Sequence, residues 1–249
     1  MAVPSRLPSY TEDDFARLLT GVLSFFFLIM YVPPMYRTAY RIVAEKESKV
    51  KESMRMMGLR DTAYWLSWLS YYTIINSLIS FFTWLILFES VTSKTSGWIL
   101  FLVVWLFGQS LFGLLIITQS LFTRARAAAI TTSLIYFGTS IFQQLINEPE
   151  STFTARMLCS LSPTVAMLQT VAVMTTFEAS QVGSNSSNIF SEHNNFTVGH
   201  GLMMMAFDFV WISTLGLYLE QVMPKTFGSS KSVCFFASRN YWSCCRKKS

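Results

Sequence analysis

Apolar residues run along this chain in five long blocks, separated by short stretches rich in charged and polar side chains. An α-helix rises about 1.5 Å per residue, so about 20 apolar residues are needed to cross the hydrocarbon core of a bilayer. Each block has about that length, which predicts an all-α, multi-pass membrane protein with five transmembrane helices. The predicted spans are residues 18–36, 65–88, 98–122, 127–146 and 202–223.

Two features interrupt the alternation of spans and connectors. Pro33 and Pro34 fall inside the first block. Proline removes a backbone hydrogen bond, so the pair should kink or end that helix unless neighbouring helices supply partners. A sixth apolar stretch, residues 165–177, is too short to span a bilayer. It could form a re-entrant hairpin, a helix at the membrane interface, or part of a small external helical cap.

The basic residues predict which connectors face the cytosol. Fifteen of the nineteen Lys and Arg residues lie in residues 37–63, 123–126 and 224–249. Cytosolic connectors carry an excess of Lys and Arg, so these three segments are predicted to be cytosolic. The acidic residues before the first span favour an extracellular location for residues 1–17, and the C-terminal segment is then a cytosolic tail.

The polar connector between the fourth and fifth spans carries an independent signal of orientation. Asn185 and Asn195 both begin Asn-x-Ser/Thr sequons, and both lie in residues 147–200, which the count of basic residues places outside. The two asparagines are therefore predicted glycosylation sites. The same external segment contains the short apolar stretch, so the predicted region combines a helical hairpin with a glycosylated loop.

The composition argues against soluble enzymes and nucleic-acid binders. Only 13% of the residues are charged and 52% are hydrophobic, whereas soluble domains carry about 25% charged residues. The net charge of +5 comes from the connectors rather than from a basic stripe with stacking aromatic residues, so no nucleic acid is expected as a partner. No Ser-His-Asp, Cys-His or paired-carboxylate pattern indicates a catalytic site, and no metal or cofactor site is predicted.

The most highly charged part of the chain is "EKESKVKESMRMMGLRD", in the first predicted cytosolic connector. Glutamate precedes lysine by four residues twice, which stabilises a helix. A helix over residues 43–58 is predicted, with Gly58 suited to the left-handed turn at its end. Spacing alone leaves two interpretations open: an interfacial helix along the lipid headgroups, or a docking element for another cytosolic domain. The candidate residues are Glu45, Glu47, Lys49, Lys51, Met54, Met57 and Gly58.

The same segment, read on as "EKESKVKESMRMMGLRDTAYWLSW", resembles a segment of the A-subfamily of ATP-binding cassette (ABC) transporters, the lipid exporters. Further resemblances follow in the family's order: "RARAAA", "MLCSLSPTVAM", "LYLEQVMPKTFG" and "NYW". The resemblance covers roughly residues 9–242. It implies an ABC-2, type II exporter-like half transmembrane domain made of helices two to six of the first transmembrane domain. Residues 165–177 then belong to an external hairpin that does not cross.

The resemblance also implies partners and a role for the charged helix. It would contact a nucleotide-binding domain, and ATP hydrolysis there, with ATP and Mg bound in that domain, would drive movement of a phospholipid or sterol. Membrane lipids and a second transmembrane domain are the other implied partners, in a plasma membrane or an endosomal or lysosomal membrane. No Gly-x-x-x-x-Gly-Lys-Ser/Thr loop occurs in this sequence, so no ATPase activity is expected of this chain.

The chain is therefore expected to be a fragment, a truncated isoform or an incomplete gene model of such a transporter. The competing hypothesis is a truncated, non-transporting membrane subunit that modulates a full-length transporter. A membrane-anchored regulator of this kind would need only stable helices and the surface of the charged helix.

Two further polar sites are singled out. Asp208 is the only acid well inside a predicted span, where an unpaired charge is costly, so it should face a partner or a wet cavity. A role in a substrate path and a structural hydrogen bond between helices both remain open for it. Glu220 lies at the cytosolic end of the same span, where a nearby cation is expected. Cys244 and Cys245, beside basic residues in the tail, are candidates for acylation.

Overall fold

A computed structural model describes residues 14–90, 95–143, 152–180, 182–186, 188–191 and 196–223. The described part of the chain is helical, and the all-α class predicted from the sequence is confirmed. Its helices are α1 (Asp14–Glu47), α2 (Val50–Met56), α3 (Asp61–Ser90), α4 (Gly97–Leu121), α5 (Ala125–Ser140, followed by a 3₁₀ turn Ile141–Gln143), α6 (Phe153–Cys159), α7 (Pro163–Ala179) and α8 (Val198–Val222).

Four of the described helices are long and apolar enough to cross a bilayer. They are the segments Thr20–Glu47, Asp61–Phe88, Gly97–Leu121 and Val198–Val222. The remaining predicted span, residues 127–146, begins within α5, which has 16 residues before its short 3₁₀ turn. Residues 144–150 lie outside the described ranges. The multi-span helical architecture is therefore confirmed, whereas the predicted count of five spans is not.

The first helix is longer than the apolar block that predicted it. α1 continues through Pro33 and Pro34 and on to Glu47, 11 residues beyond the predicted end of the span at residue 36. An apolar pattern marks only the part of a helix that meets lipid or the core. The backbone hydrogen bonds carry the helix on into the charged segment.

The charged segment is divided between two helices, in contrast to the single helix predicted over residues 43–58. Residues 43–47 form the last turns of α1. The helical conformation is interrupted at Lys49, whose backbone has a left-handed φ of 58°. The seven-residue α2 follows, and Gly58 then adopts a φ of 98°. The backbone changes direction at Lys49, between α1 and α2. Side chains that one continuous helix would place on a single face therefore contact different neighbours.

The helix α4 lies at the centre of the bundle. Sixteen of its 25 residues are buried, and α1, α3, α7 and α8 all pack on it. It approaches α8 closely at two glycines: a Cβ on Gly113 would lie 2.8 Å from Cβ of Ile212, and one on Gly216 would lie 2.8 Å from Cγ2 of Ile116. Small residues allow two membrane helices to approach this closely. The second contact lies closer to the C-terminus than the first on both helices, so α4 and α8 run parallel.

Hydrogen bonds also join the helices across the apolar interior. The hydroxyl of Tyr31 on α1 donates to Oδ1 of Asn76 on α3 (3.0 Å) and to the carbonyl oxygen of Val104 on α4 (2.9 Å). Nδ2 of Asn76 in turn donates to the carbonyl oxygen of Trp105 (2.9 Å). Such polar contacts between spans favour one arrangement of helices whose remaining contacts are apolar.

The helices α6 and α7 follow one another along the chain, and α7 contacts the end of the bundle opposite to α2. A hydroxyl–hydroxyl hydrogen bond of 2.5 Å joins Thr175 on α7 to Thr20, near the start of α1. Near the end of α7, Oε2 of Glu178 accepts a hydrogen bond of 2.7 Å from Thr95, just before α4. The short apolar stretch at residues 165–177 therefore lies within a helix, and α7 packs against α1, α4, α5 and α8. The external hairpin implied by the resemblance stays a prediction.

Candidate functional site

The end of α1 joins the ends of two other helices through a pair of adjacent, oppositely charged side chains. Nζ of Lys46 donates to the carbonyl oxygens of Gln119 (2.7 Å) and Phe122 (3.1 Å), at the C-terminus of α4. Oε2 of Glu47 accepts from the backbone N–H of Ala125 (2.9 Å), at the N-terminus of α5. Each charge has the sign that the helix dipole favours at that end, and each satisfies backbone groups that lack a partner within their own helix.

A second contact of this segment is made to α3. Oε2 of Glu45 accepts from the hydroxyl of Tyr64 (3.0 Å) and from Nε1 of Trp68 (3.3 Å). Tyr64 itself is buried. Two aromatic side chains of the following helix therefore donate hydrogen bonds to Glu45.

The third contact ties α2 to the end of α8. Nζ of Lys51 forms a short ion pair with Oε1 of Glu220, whose Oε2 accepts from Nε1 of Trp65 (2.5 Å). The ammonium also lies 4.4 Å from the ring centroid of Tyr64 and 5.0 Å from that of Trp65. Lys51 is therefore the cation expected near Glu220. We call Glu45, Lys46, Glu47 and Lys51 the charged junction, because together they connect α1 and α2 to the ends of α3, α4, α5 and α8.

The far end of α2 points away from these contacts. Met56 and Met57 are 83% and 80% exposed, whereas Met54 is partly buried against the core. Gly58 then turns the chain towards α3. The predicted docking methionines are thus separated, since Met54 faces the protein and Met57 faces outward. Methionine adapts to irregular surfaces, which suits an exposed contact element.

A pocket of about 480 Å³ lies between α1, α2 and the beginning of α3. Nη1 of Arg41 donates to the hydroxyl of Tyr71 (2.6 Å), and the Tyr71 and Trp68 rings meet edge to face with centroids 5.6 Å apart. The polar and aromatic residues that line the pocket are Tyr40, Arg41, Glu45, Tyr64, Ser67, Trp68 and Tyr71. Ala44, Met54 and Leu59 complete its walls. We call this cavity the aromatic pocket.

An apolar groove of about 330 Å³ lies on the other side of α3, between α3 and α8 with α4 as its floor. Leu66, Phe112 and Leu217 contribute apolar walls, and Glu220 lies among the polar residues that line it. Glu220, the ion-pair partner of Lys51, is therefore part of the wall of a mainly apolar groove.

Asp208 is completely buried in α8, and neither carboxylate oxygen has a hydrogen-bond partner among the described residues. Gln109 precedes Gly113 by about one helical turn, and Asp208 precedes Ile212 by the same distance. Because α4 and α8 run parallel, Gln109 and Asp208 lie at the same level of the two helices. Nε2 of Gln109 is also buried without a partner among the described residues, while its Oε1 accepts from Thr73 (3.4 Å). The predicted structural hydrogen bond of Asp208 is not formed within the described part of the bundle.

The predicted external sites are only partly covered by the structure. Asn185 is exposed on the loop before α8, and its backbone N–H donates to Oδ1 of Asn188 (2.6 Å). Asn195, Cys244 and Cys245 lie outside the described residues. Exposure makes Asn185 accessible to modification, and glycosylation of both asparagines stays a prediction.

Sequence reasoning missed the aromatic partners of the charged junction. Trp65 and Trp68 lie at the start of a predicted span, and Arg41 is one of the basic residues of the predicted cytosolic connector at residues 37–63. The available signal was the spacing of Tyr64, Trp68 and Tyr71, which repeats at four and three residues and so places all three on one face of α3.

Comparisons with known proteins match this architecture. Residues 3–218 match the family described as ABC-2 family transporter protein. The chain is 31% identical over 234 residues to the "Cholesterol transporter ABCA5" of Rattus norvegicus, covering 93% of the chain and 14% of that protein. It is 26% identical over 245 residues to the human "Retinal-specific phospholipid-transporting ATPase ABCA4", covering 94% of the chain and 11% of that protein.

A third relative, the human "ATP-binding cassette sub-family A member 13", is 30% identical over 244 residues, which cover 94% of the chain and 5% of that protein. The chain thus spans at most about a seventh of the length of these relatives. The similarity extends over most of the chain, through the charged junction, α6, α7 and α8. The chain is an integral membrane protein that belongs to the ABC-2 transporter family, and its relatives are A-subfamily ABC transporters.

Proposed function

We propose that this chain is the transmembrane part of an ATP-driven lipid transporter and that the charged junction transmits movement from a nucleotide-binding domain to the helices. The carrying observation is the connection of one short segment to the ends of four other helices through Glu45, Lys46, Glu47 and Lys51. A force applied to α2 would reach all of them. The substrate class we propose is phospholipid or sterol, as the names of two relatives suggest.

The exposed end of α2 is the proposed contact with the nucleotide-binding domain. Met56 and Met57 lie at the C-terminal end of α2 and are among the most exposed large apolar side chains of the described residues. The other end of α2 is held by the Lys51–Glu220 ion pair. Exposed apolar side chains at the end of a helix that is held in place by an ion pair suit a surface that another domain covers. The second transmembrane domain and membrane lipids are the other proposed partners, in a plasma membrane or an endosomal or lysosomal membrane.

The test uses a full-length A-subfamily transporter that carries this segment, reconstituted in lipid vesicles. Replacing both exposed methionines by glutamate (Met56→Glu with Met57→Glu) should reduce lipid-stimulated ATP hydrolysis and lipid export by at least about fivefold, the lower end of usual coupling energies. Thr62→Glu with Ala63→Glu is the matched control, since it adds the same charge at two exposed positions in the first turn of α3.

Charge reversal at the anchors tests the transmission step separately. Glu45→Lys with Glu47→Lys should leave nucleotide binding intact but uncouple hydrolysis from lipid movement, because α3 and α5 lose their connection to α1. Unchanged lipid-stimulated hydrolysis and export in both sets of variants would remove the coupling role from this segment.

A further inference from the structure

The aromatic pocket combines an acid, a cation and four aromatic rings in one cavity: Tyr40, Arg41, Glu45, Tyr64, Trp68 and Tyr71. We propose that it binds the phosphocholine headgroup of a phosphatidylcholine lipid in the leaflet on this side of the membrane. The choline ammonium lies among the aromatic rings beside Glu45, and the phosphate lies on Arg41. The pocket is then a lipid-headgroup site in addition to the mechanical contacts of the charged junction.

The choline end of the proposal follows from the chemistry of a quaternary ammonium. This group has no N–H to donate, so it gains most from aromatic faces and a nearby negative charge. The rings of Trp68 and Tyr71 meet edge to face at 5.6 Å, which makes a corner rather than a flat surface. Tyr64 and Trp68 both donate to the same oxygen of Glu45, so the carboxylate is fixed at the edge of that corner.

The phosphate end follows from the position of Arg41. Its side chain is exposed, and the Tyr71 hydroxyl accepts one N–H of its guanidinium at 2.6 Å. A guanidinium has five N–H donors, so most remain for phosphate oxygens, which it binds in a bidentate manner. The guanidinium carbon also lies 5.9 Å from the Tyr71 ring centroid, which limits the positions of the side chain.

The two charges of the pocket have the spacing and order that the headgroup needs. Arg41 and Glu45 are four residues apart on α1, so they neighbour each other on one face of the helix, about 5–6 Å apart at Cβ. Phosphocholine carries its phosphate and its ammonium on neighbouring groups of one short chain. An anionic headgroup without the ammonium would leave Glu45 uncompensated, and a primary ammonium would gain less from the rings.

The pocket is open where a lipid can enter it. Tyr40 and Tyr71 are 41% and 37% exposed, and tyrosine rings are enriched at the level of the headgroups. The acyl chains can then remain in the bilayer while the headgroup occupies the cavity. Use of this site for lipid uptake rests on the proposed transport function, whereas headgroup binding requires neither ATP nor any other domain.

The experiment is a lipid titration of the purified full chain in detergent, followed by native mass spectrometry. Dioleoyl phosphatidylcholine should bind about tenfold more tightly than dioleoyl phosphatidylethanolamine, the selectivity expected from ring contacts to a desolvated quaternary ammonium. Trp68→Leu should abolish that preference, because it removes a ring and one donor to Glu45. Arg41→Gln should weaken binding of phosphatidylcholine, phosphatidylethanolamine and phosphatidylglycerol alike, because all three carry the phosphate.

Trp98→Leu is the matched control: it makes the same replacement at a tryptophan that is 69% exposed on α4, outside the pocket. Its lipid binding should equal that of the unmodified chain. Arg41→Gln changes an exposed side chain, so it decides the question even if Trp68→Leu does not fold. Equal binding of phosphatidylcholine and phosphatidylethanolamine by the unmodified chain, or an unaltered phosphatidylcholine affinity in Arg41→Gln, would overturn the proposal.

Soluble phosphocholine distinguishes the lipid from a free small molecule. Because the acyl chains add contacts, it should displace the lipid only at a concentration at least about a hundredfold higher. Displacement at equal concentration would instead assign the pocket to a soluble ligand. Failure of lipid binding with coupled transport intact would reject this site alone, whereas unchanged coupling in the α2 variants with lipid binding intact would reject only the proposed transmission.

Discussion

Two acidic side chains on α8, Glu220 and Asp208, lie about three turns apart and have opposite surroundings. Glu220 is 15% exposed, is paired with Lys51 and accepts a hydrogen bond from Trp65. Asp208 is fully buried, and neither of its oxygens accepts a hydrogen bond from a described residue. One helix thus carries an acid that joins it to other helices and an acid that receives nothing from them.

The difference shows which of the two acids contributes to the stability of this bundle. The cost of removing the Glu220 carboxylate from water is offset by a cation and an indole N–H. Asp208 keeps that cost, because the residues at its level provide no donor in the described arrangement. A buried group of this kind requires an explanation other than stability.

The largest effect on stability is expected from reversing the charge of Lys51, the cation that Glu220 binds. Lys51→Glu places two carboxylates against each other in a partly buried site, so the free energy of unfolding should fall by about 2–3 kcal/mol. Thermal unfolding of the purified chain in a mild detergent measures this change. The double variant Lys51→Glu with Glu220→Lys restores opposite charges and should recover at least about half of the loss.

The control for that experiment is Arg55→Glu. Arg55 also faces an acid, Asp61 at 3.5 Å, but both side chains are more than half exposed, so the loss should stay below about 0.5 kcal/mol. Equal losses in Lys51→Glu and in Arg55→Glu would show that the Glu220 ion pair has no special role. The contrast with Asp208 would then disappear.

A smaller effect is expected from removing the neutral donor to Glu220. Trp65→Phe keeps an aromatic ring under the Lys51 ammonium but removes the N–H that donates to Oε2 at 2.5 Å. The free energy of unfolding should fall by about 1 kcal/mol, the usual contribution of one such hydrogen bond, in the same detergent assay. Trp98→Phe makes the same change on an exposed side chain and should have no comparable effect. A loss as large as that of Lys51→Glu would mean that the indole, rather than the lysine, is the main partner.

The helices of this molecule could be predicted from the sequence because the signal is local. A block of about 20 apolar residues indicates a helix wherever it packs, so four predicted spans coincide with long apolar helices. The end of α1 was missed because a helix leaving the membrane continues on backbone hydrogen bonds alone. The break at Lys49 was missed because a left-handed lysine is rare and no glycine marks it.

The partners of the charged junction could not be predicted because they are distant in the sequence. Lys51 and Glu220 are 169 positions apart, and Trp65 and Glu220 are 155 apart. Local spacing instead favoured helical pairs within the charged segment. Asp208 could be singled out, since an acid in an apolar span is unusual, but the lack of a partner depends on how α4 and α8 pack.

The smallest loss of stability is expected at Asp208 itself. Asp208→Asn preserves nearly the same shape and removes a carboxyl group that accepts no hydrogen bond within the described bundle, so nothing that holds the folded chain is lost. The free energy of unfolding should therefore not fall, because the neutral amide costs less to bury than an unpaired carboxylate, whereas Glu220→Gln on the same helix should lose about 1–2 kcal/mol. Both variants are measured side by side by thermal unfolding in the same detergent. A loss of more than about 2 kcal/mol in Asp208→Asn would mean that the carboxylate has a strong partner in the folded protein. Asp208 would then anchor α8 as Glu220 does, and the contrast between the two acids would disappear.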